Sequence, residues 1–118
     1  MREIKGIPDE IYENGISLEP VGVFGFAWKY KDIFEVLDYL KNNSYGVLGG
    51  DVYKFHGERL FSTYDNWSLE PQGIPWAEYV NASYEMTKNY IERYYEKNGD
   101  NYCYDIVVTD ELEALLYN

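Results

Sequence analysis

Two stretches of the chain place apolar residues at helical spacing. In residues 30–42, Ile33, Phe34, Leu37 and Leu40 share one face, and Lys31, Asp32, Glu35 and Asp38 share the other. Asn42-Asn43 is expected to end this helix, because asparagine tolerates the left-handed conformation of a helix terminus. Residues 75–97 carry the stronger pattern. Trp76, Tyr79, Val80, Ser83, Met86, Thr87, Tyr90, Ile91 and Tyr94 form one stripe, and Glu78, Asn81, Glu85, Lys88, Asn89, Glu92 and Glu96 form the wet face. Tyr84 and Tyr95 fall off the stripe and are expected to be exposed. Pro75 suits the first turn and Asn98-Gly99 the end.

Other stretches read as strands. Residues 46–55 are β-like, His56-Gly57 fits a tight turn, and residues 58–62 continue as the partner strand. In residues 102–109, Tyr102, Tyr104, Ile106 and Val108 alternate with Cys103, Asp105 and Val107. Residues 21–28 suggest a buried strand or extended segment weakened by Gly22 and Gly25. Residues 63–75 read as a loop with Trp67 in its middle. Short helices are expected over 7–13, after Pro8, and over 110–118, where Asp110 and Glu113 fit a capping box. The sum is an α+β fold: a small, mainly antiparallel sheet with two or more helices packed on one face.

Length changes the picture little. A chain of 118 residues is one domain, spanning residues 1–118. Charge changes it more. The formal net charge is -11, from 21 Asp+Glu against 10 Lys+Arg, and aromatics make up 19%, with 14 tyrosines. Residues 1–59 carry a net of -3 and residues 60–118 a net of -8. Such a chain repels nucleic-acid phosphates and anionic membranes, so neither is an expected partner. No run of about 18 apolar residues predicts a transmembrane span. The start, Met1-Arg2-Glu3-Ile4-Lys5-Gly6, lacks the apolar core of a secretory signal, and the single Cys103 has no internal partner. A cytoplasmic location is expected, and the sequons at Asn42, Asn66 and Asn81 are expected to be accidental.

Candidate chemistry is sparse. His56, the one histidine, falls at a turn tip without an orienting partner. Cys103 reads as a small core residue. No Cys/His cluster suits zinc, and Gly49-Gly50-Asp51 lacks the Lys-Ser/Thr of a phosphate-binding loop. No catalytic residue, metal or cofactor is therefore expected. Gly49-Gly50 inside a strand marks a bulge or close approach of another backbone, or else clears space for a partner that meets Asp51. Trp67, after Tyr64-Asp65-Asn66, is either a plug that closes the core or an interface anchor.

The order of a helix, then Tyr45-Gly46-Val47-Leu48-Gly49-Gly50-Asp51-Val52-Tyr53, then Tyr64-Asp65-Asn66-Trp67, then Trp76-Ala77-Glu78-Tyr79-Val80 opening a long helix, resembles the immunity protein 40 family. The resemblance runs from about Trp28 to Val108. It implies an immunity protein of bacterial polymorphic toxin systems. Such a protein binds a cognate toxin domain in the cytoplasm and neutralises it without chemistry of its own. The charge fits a basic toxin domain, such as a nuclease. Asp51, Tyr64, Asp65, Trp67, Glu70, Glu78 and Glu85 are the expected partner-binding residues. Two other readings compete: a small-ligand module with an aromatic pocket near Trp28, Trp67 and Trp76, and an enzyme that pairs Asp51 with Asp65.

Overall fold

A computed structural model describes residues 8–116. The helices are α1 (Asp9–Glu13), α2 (Tyr30–Asn42), α3 (Trp76–Asn98) and α4 (Glu111–Leu116). The strands are β1 (Ile16–Ser17), β2 (Phe26–Lys29), β3 (Gly46–His56), β4 (Arg59–Ser68), β5 (Tyr102–Tyr104) and β6 (Val107–Thr109). They form one antiparallel sheet in the order β1-β2-β5-β3-β4, and β6 pairs with β3 beyond β5. The fold is thus α+β. Residues 1–6, read above for a signal, residue 7 of the first predicted helix and residues 117–118 of the last lie outside the described residues.

Helices α2 and α3 lie side by side on one face of the sheet. Their apolar stripes meet Trp28, Val47, Val52, Trp67, Tyr104 and Ile106 in the main core. In α2, Ile33, Val36, Leu37 and Leu40 are buried, while Phe34 is half-buried and meets Tyr30 edge-on at 5.0 Å. The other sheet face is covered only in part. Leu18, Ala27, Tyr53 and Cys103 are buried there under Val21 and Val23, beside the 3-10 turn Glu19–Val21.

Several expectations change. The strand expected over residues 21–28 is confined to Phe26–Lys29, because Gly22 and Gly25 have φ of 80° and 139° and bend the chain. The tight turn is Gly57-Glu58 rather than His56-Gly57. β4 runs on to Ser68, so the first part of the expected 63–75 loop is strand; Asp65 sits in a bulge and Asn66 pairs with Asp51. The 102–109 strand breaks at Asp105-Ile106. Asn43 is not left-handed; Ser44, with φ of 61°, reverses the chain after α2. Tyr84 and Tyr95 are half-buried against α2. Tyr84 donates to Asp38 at 2.6 Å, and Tyr95 stacks on Tyr30 at 3.8 Å.

The β3 glycines are explained by close approach. Gly49 pairs with Val107 where the β3–β6 register shifts, so the bulge reading holds. A Cβ on Gly50 would strike the Asp105 carbonyl and the Trp67 ring. Trp67 is 5% exposed and its indole N–H donates to Thr87 of α3 at 2.9 Å. It closes the core as a plug.

Two stability tests follow from this packing. Gly50→Val should lose about 1–3 kcal/mol in urea unfolding, the scale of overpacking in a tight interior. An unchanged midpoint would mean the ring and carbonyl can move aside. Trp67→Ala should lose about 3–5 kcal/mol, the usual cost of removing a large buried aromatic. A small change in melting temperature would contradict its role as a plug.

Candidate functional site

β4 is an edge strand, and its middle is irregular. Asp51 pairs with Asn66 and Tyr53 with Ser62, so Val52 alone faces Thr63, Tyr64 and Asp65. The two extra residues form a bulge. At its apex Tyr64 has φ of 65°, a left-handed value that costs a non-glycine residue about 1 kcal/mol or more. Short polar side chains hold it there. The Ser62 hydroxyl accepts from the Tyr64 N–H at 3.1 Å, and the Thr63 hydroxyl accepts from the Asp65 N–H at 3.1 Å. Thr63 also donates to the Val52 carbonyl at 2.8 Å, and the Asn66 amide donates to the Tyr64 carbonyl at 3.2 Å. Ser, Thr and Asn favour such local bonds to backbone, which is why this sequence bulges here. The Tyr64 ring is 87% exposed.

On the helix side of the bulge lies an open groove of about 710 Å³, lined by Asp65, Met86, Tyr90, Arg93, Tyr94 and Lys97 among others. Two of its lining rings, Tyr90 and Tyr94, lie 6.0 Å apart and belong to a longer row: behind the groove, Trp67 stacks on Tyr90 at 4.8 Å and Tyr94 meets Tyr102 edge-on at 5.2 Å. The Tyr94 hydroxyl donates to Asp65 at 2.7 Å. Burial, and then this bond, push its pKa up to about 12, so it keeps its proton and its donor role at neutral pH.

The opposite sheet face holds a shallow dent of about 300 Å³. Leu48, Gly49, Gly50, Asp51, Asn66, Ser68, Glu70 and Val107 line it, with Trp67 behind the glycines. A Cβ on either glycine would meet protein rather than fill the dent: the Trp67 carbonyl for Gly49, and the Asp105 carbonyl and Trp67 ring for Gly50. Beneath the dent is Asp105, 2% exposed, whose carboxylate accepts from the Asp51 N–H at 2.6 Å and from the Tyr53 hydroxyl at 3.4 Å. Burial pushes the Asp105 carboxyl well above the ordinary carboxylate range. The nearby Asp51 charge adds to this and the Asp51 N–H opposes it. Burial, and then Asp105, push the Cys103 thiol up to about 12, so it stays protonated.

The seven expected partner-binding residues thus divide. Asp51 and Glu70 border the dent, and Tyr64 and Asp65 belong to the bulge. Glu78 and Glu85 stand exposed on the outer face of α3, and Trp67 is inside. Asp51 and Asp65 do not converge. Asp51 pairs with Asn66, while the next residue along β4, Asp65, reaches α3 through Tyr94. The three tryptophans share no pocket: Trp28 donates to the Ile11 carbonyl, Trp67 to Thr87 and Trp76 to the Ser44 carbonyl. Sequence reasoning passed over Asp105 and the groove cations Arg93 and Lys97. An acid alternating with Cys103 in an apolar strand was the available signal for Asp105. Among the described residues, no group of three or more His, Cys, Asp or Glu is placed to hold a metal ion. No helix among them is long and apolar enough to cross a membrane.

From Leu60 to Thr87 the chain has no lysine or arginine, and it carries Asp65, Glu70, Glu78 and Glu85. The bulge and the first half of α3 therefore present one sign of charge.

A helix-backed antiparallel sheet with an irregular, acid-bearing edge defines a small α+β protein whose most exposed features are open surfaces. The family model of immunity protein 40 matches residues 17–108, and the chain belongs to that family. No curated protein and no solved structure matches it. Membership in an immunity-protein family implies a toxin as the partner in general terms.

The buried Asp105 gives a pH test. Its folded pKa, raised from 3.8 to about 7, means the folded state holds a proton that the unfolded chain has released. The associated stability is complete below the unfolded value and is lost as pH rises through the folded one. Asp105→Asn mimics the protonated form. Its melting temperature relative to wild type should therefore rise between about pH 4 and about pH 8. A pH-independent difference would show that Asp105 does not titrate in this window.

Proposed function

We propose that this chain is a cytoplasmic immunity protein. It binds a cognate bacterial toxin domain and neutralises it by non-catalytic association. The observation that carries the reading, beside the family, is the cation-free stretch from Leu60 to Thr87, which holds both the bulge and the acidic outer face of α3. Its sign favours a basic toxin domain, such as a nuclease, over nucleic acid or an anionic membrane. Glu78 and Glu85 steer the approach, while Asp51, Asp65 and Glu70 lie where contact is made. Trp67 holds the bulged strand on α3 and acts from beneath. The protein needs no cofactor for this, and its raised-pKa groups are structural: Asp105 bonds backbone and Cys103 is sealed in the sheet.

Co-expression with the toxin gene beside it should protect cells, and the two purified proteins should form a stable complex. Cells that die as fast with this protein as without it, and no complex with any adjacent toxin, would sink the reading. Association should slow about tenfold or more between low and physiological salt, with dissociation changing less. A salt-independent association rate would remove the steering and leave the binding.

A further inference from the structure

Tyr64 is costly where it stands, and its ring is left 87% exposed by the described residues. The residue adopts a left-handed backbone that glycine would take freely, and it exposes a large aromatic side chain. Four hydrogen bonds from Ser62, Thr63 and Asn66 hold the bulge in one shape, and a fifth ties Asp65 to Tyr94. Strain kept in place by surrounding structure, at an exposed aromatic, is the pattern of a binding anchor.

We propose that Tyr64 is a preorganised anchor whose ring inserts into a concave, positively charged site of the cognate toxin domain, with Asp65 fixed beside it to meet the basic rim. This rests on the toxin-binding reading above and adds the contact point and the chemistry it meets. Three arguments select the occupant. The ring projects from a convex bulge, so its complement is a hollow. The flanking chain carries acids and no cation for 28 residues, and the cations Arg93 and Lys97 lie in the groove on the helix side of the bulge, so the part of the rim away from that groove is basic. A second copy of this chain would bring a net charge of -11 and be repelled. Strand addition to β4 is also disfavoured, because the two extra residues break the ladder at Thr63–Asp65. The contact is therefore led by a side chain, and the fixed bulge spares most of the ordering cost of binding.

Three variants test it against the adjacent toxin domain, with affinity and melting temperature read together. Tyr64→Gly removes the ring and relieves the backbone. It should weaken the complex about 30-fold or more, the scale of an interface hot spot, while melting close to wild type. Tyr64→Phe keeps the ring and should keep most of the affinity. Phe24→Ala removes another exposed aromatic, outside β4, and should bind as wild type does. Wild-type affinity in Tyr64→Gly would overturn the anchor and leave the toxin partnership standing. If the wild-type protein bound no toxin domain, both the anchor and the toxin reading would fall.

Discussion

Trp67 fills the space above Gly50 that any other residue's Cβ would occupy. Its ring stacks on Tyr90 and its N–H reaches Thr87, so one side chain of the edge strand is fastened to the middle of the long helix. Tyr79 makes the reciprocal contact from the helix side. Its ring lies where a Cβ on Gly46 would stand, and its hydroxyl donates to the Leu69 carbonyl at 2.6 Å. The Val47 N–H adds a bond to the Ser83 hydroxyl at 3.0 Å. Gly46 and Gly50 of β3 are thus sockets for large rings. Each weakens its strand by about 0.5–1 kcal/mol relative to alanine, and burying a tryptophan or tyrosine more than offsets that.

This fastening leaves a defined edge. The helices cover β2, β5 and β3, and among the described residues β4 closes one side of the sheet without a further strand. Across the molecule, tyrosine hydroxyls meet carboxyl groups. Tyr84 donates to Asp38, Tyr94 to Asp65 and Tyr53 to Asp105. In a chain with about twice as many acids as bases, phenol hydroxyls satisfy carboxylates where lysine or arginine would elsewhere. A phenol does so without cancelling the charge. The excess of tyrosine and the excess of acid, separate oddities in the composition, are to this extent one device.

Much of the fold was legible because its periods were clean. The spacing of Ile33, Leu37 and Leu40 placed α2 at its observed ends, and the Tyr79–Tyr94 stripe placed α3 within a residue. The errors fell where side chains bond to backbone or where two segments meet closely. Thr63, Asp65 and Asn66 have the composition of a loop, and it is the pairing of Ser62 on one side and of Asn66 and Trp67 on the other with β3 that carries the strand through them. Gly49-Gly50 could be marked as a close approach but not assigned its neighbours, because Asp105 and Trp67 are distant in sequence. The site was legible as a set of residue types. Its division between two sheet faces was not, since the register that separates Asp51 from Asp65 depends on a bulge that alternation alone does not locate.

On the proposed reading, that geometry assigns different tasks to charge and to shape. At physiological salt the field of surface carboxylates decays within about 8 Å, so it acts only on the last approach of a partner. Charges on the outer face of α3 can raise the rate of encounter, but exposed and hydrated as they are they add little once contact is made. Residence must come from a desolvated contact, and among the exposed aromatics of β4 the Tyr64 ring is the most protruding. The bulge that presents it also breaks the edge that would otherwise pair with any passing strand. One distortion therefore serves both ends: it discourages the wrong backbone and holds out the side chain for the right surface.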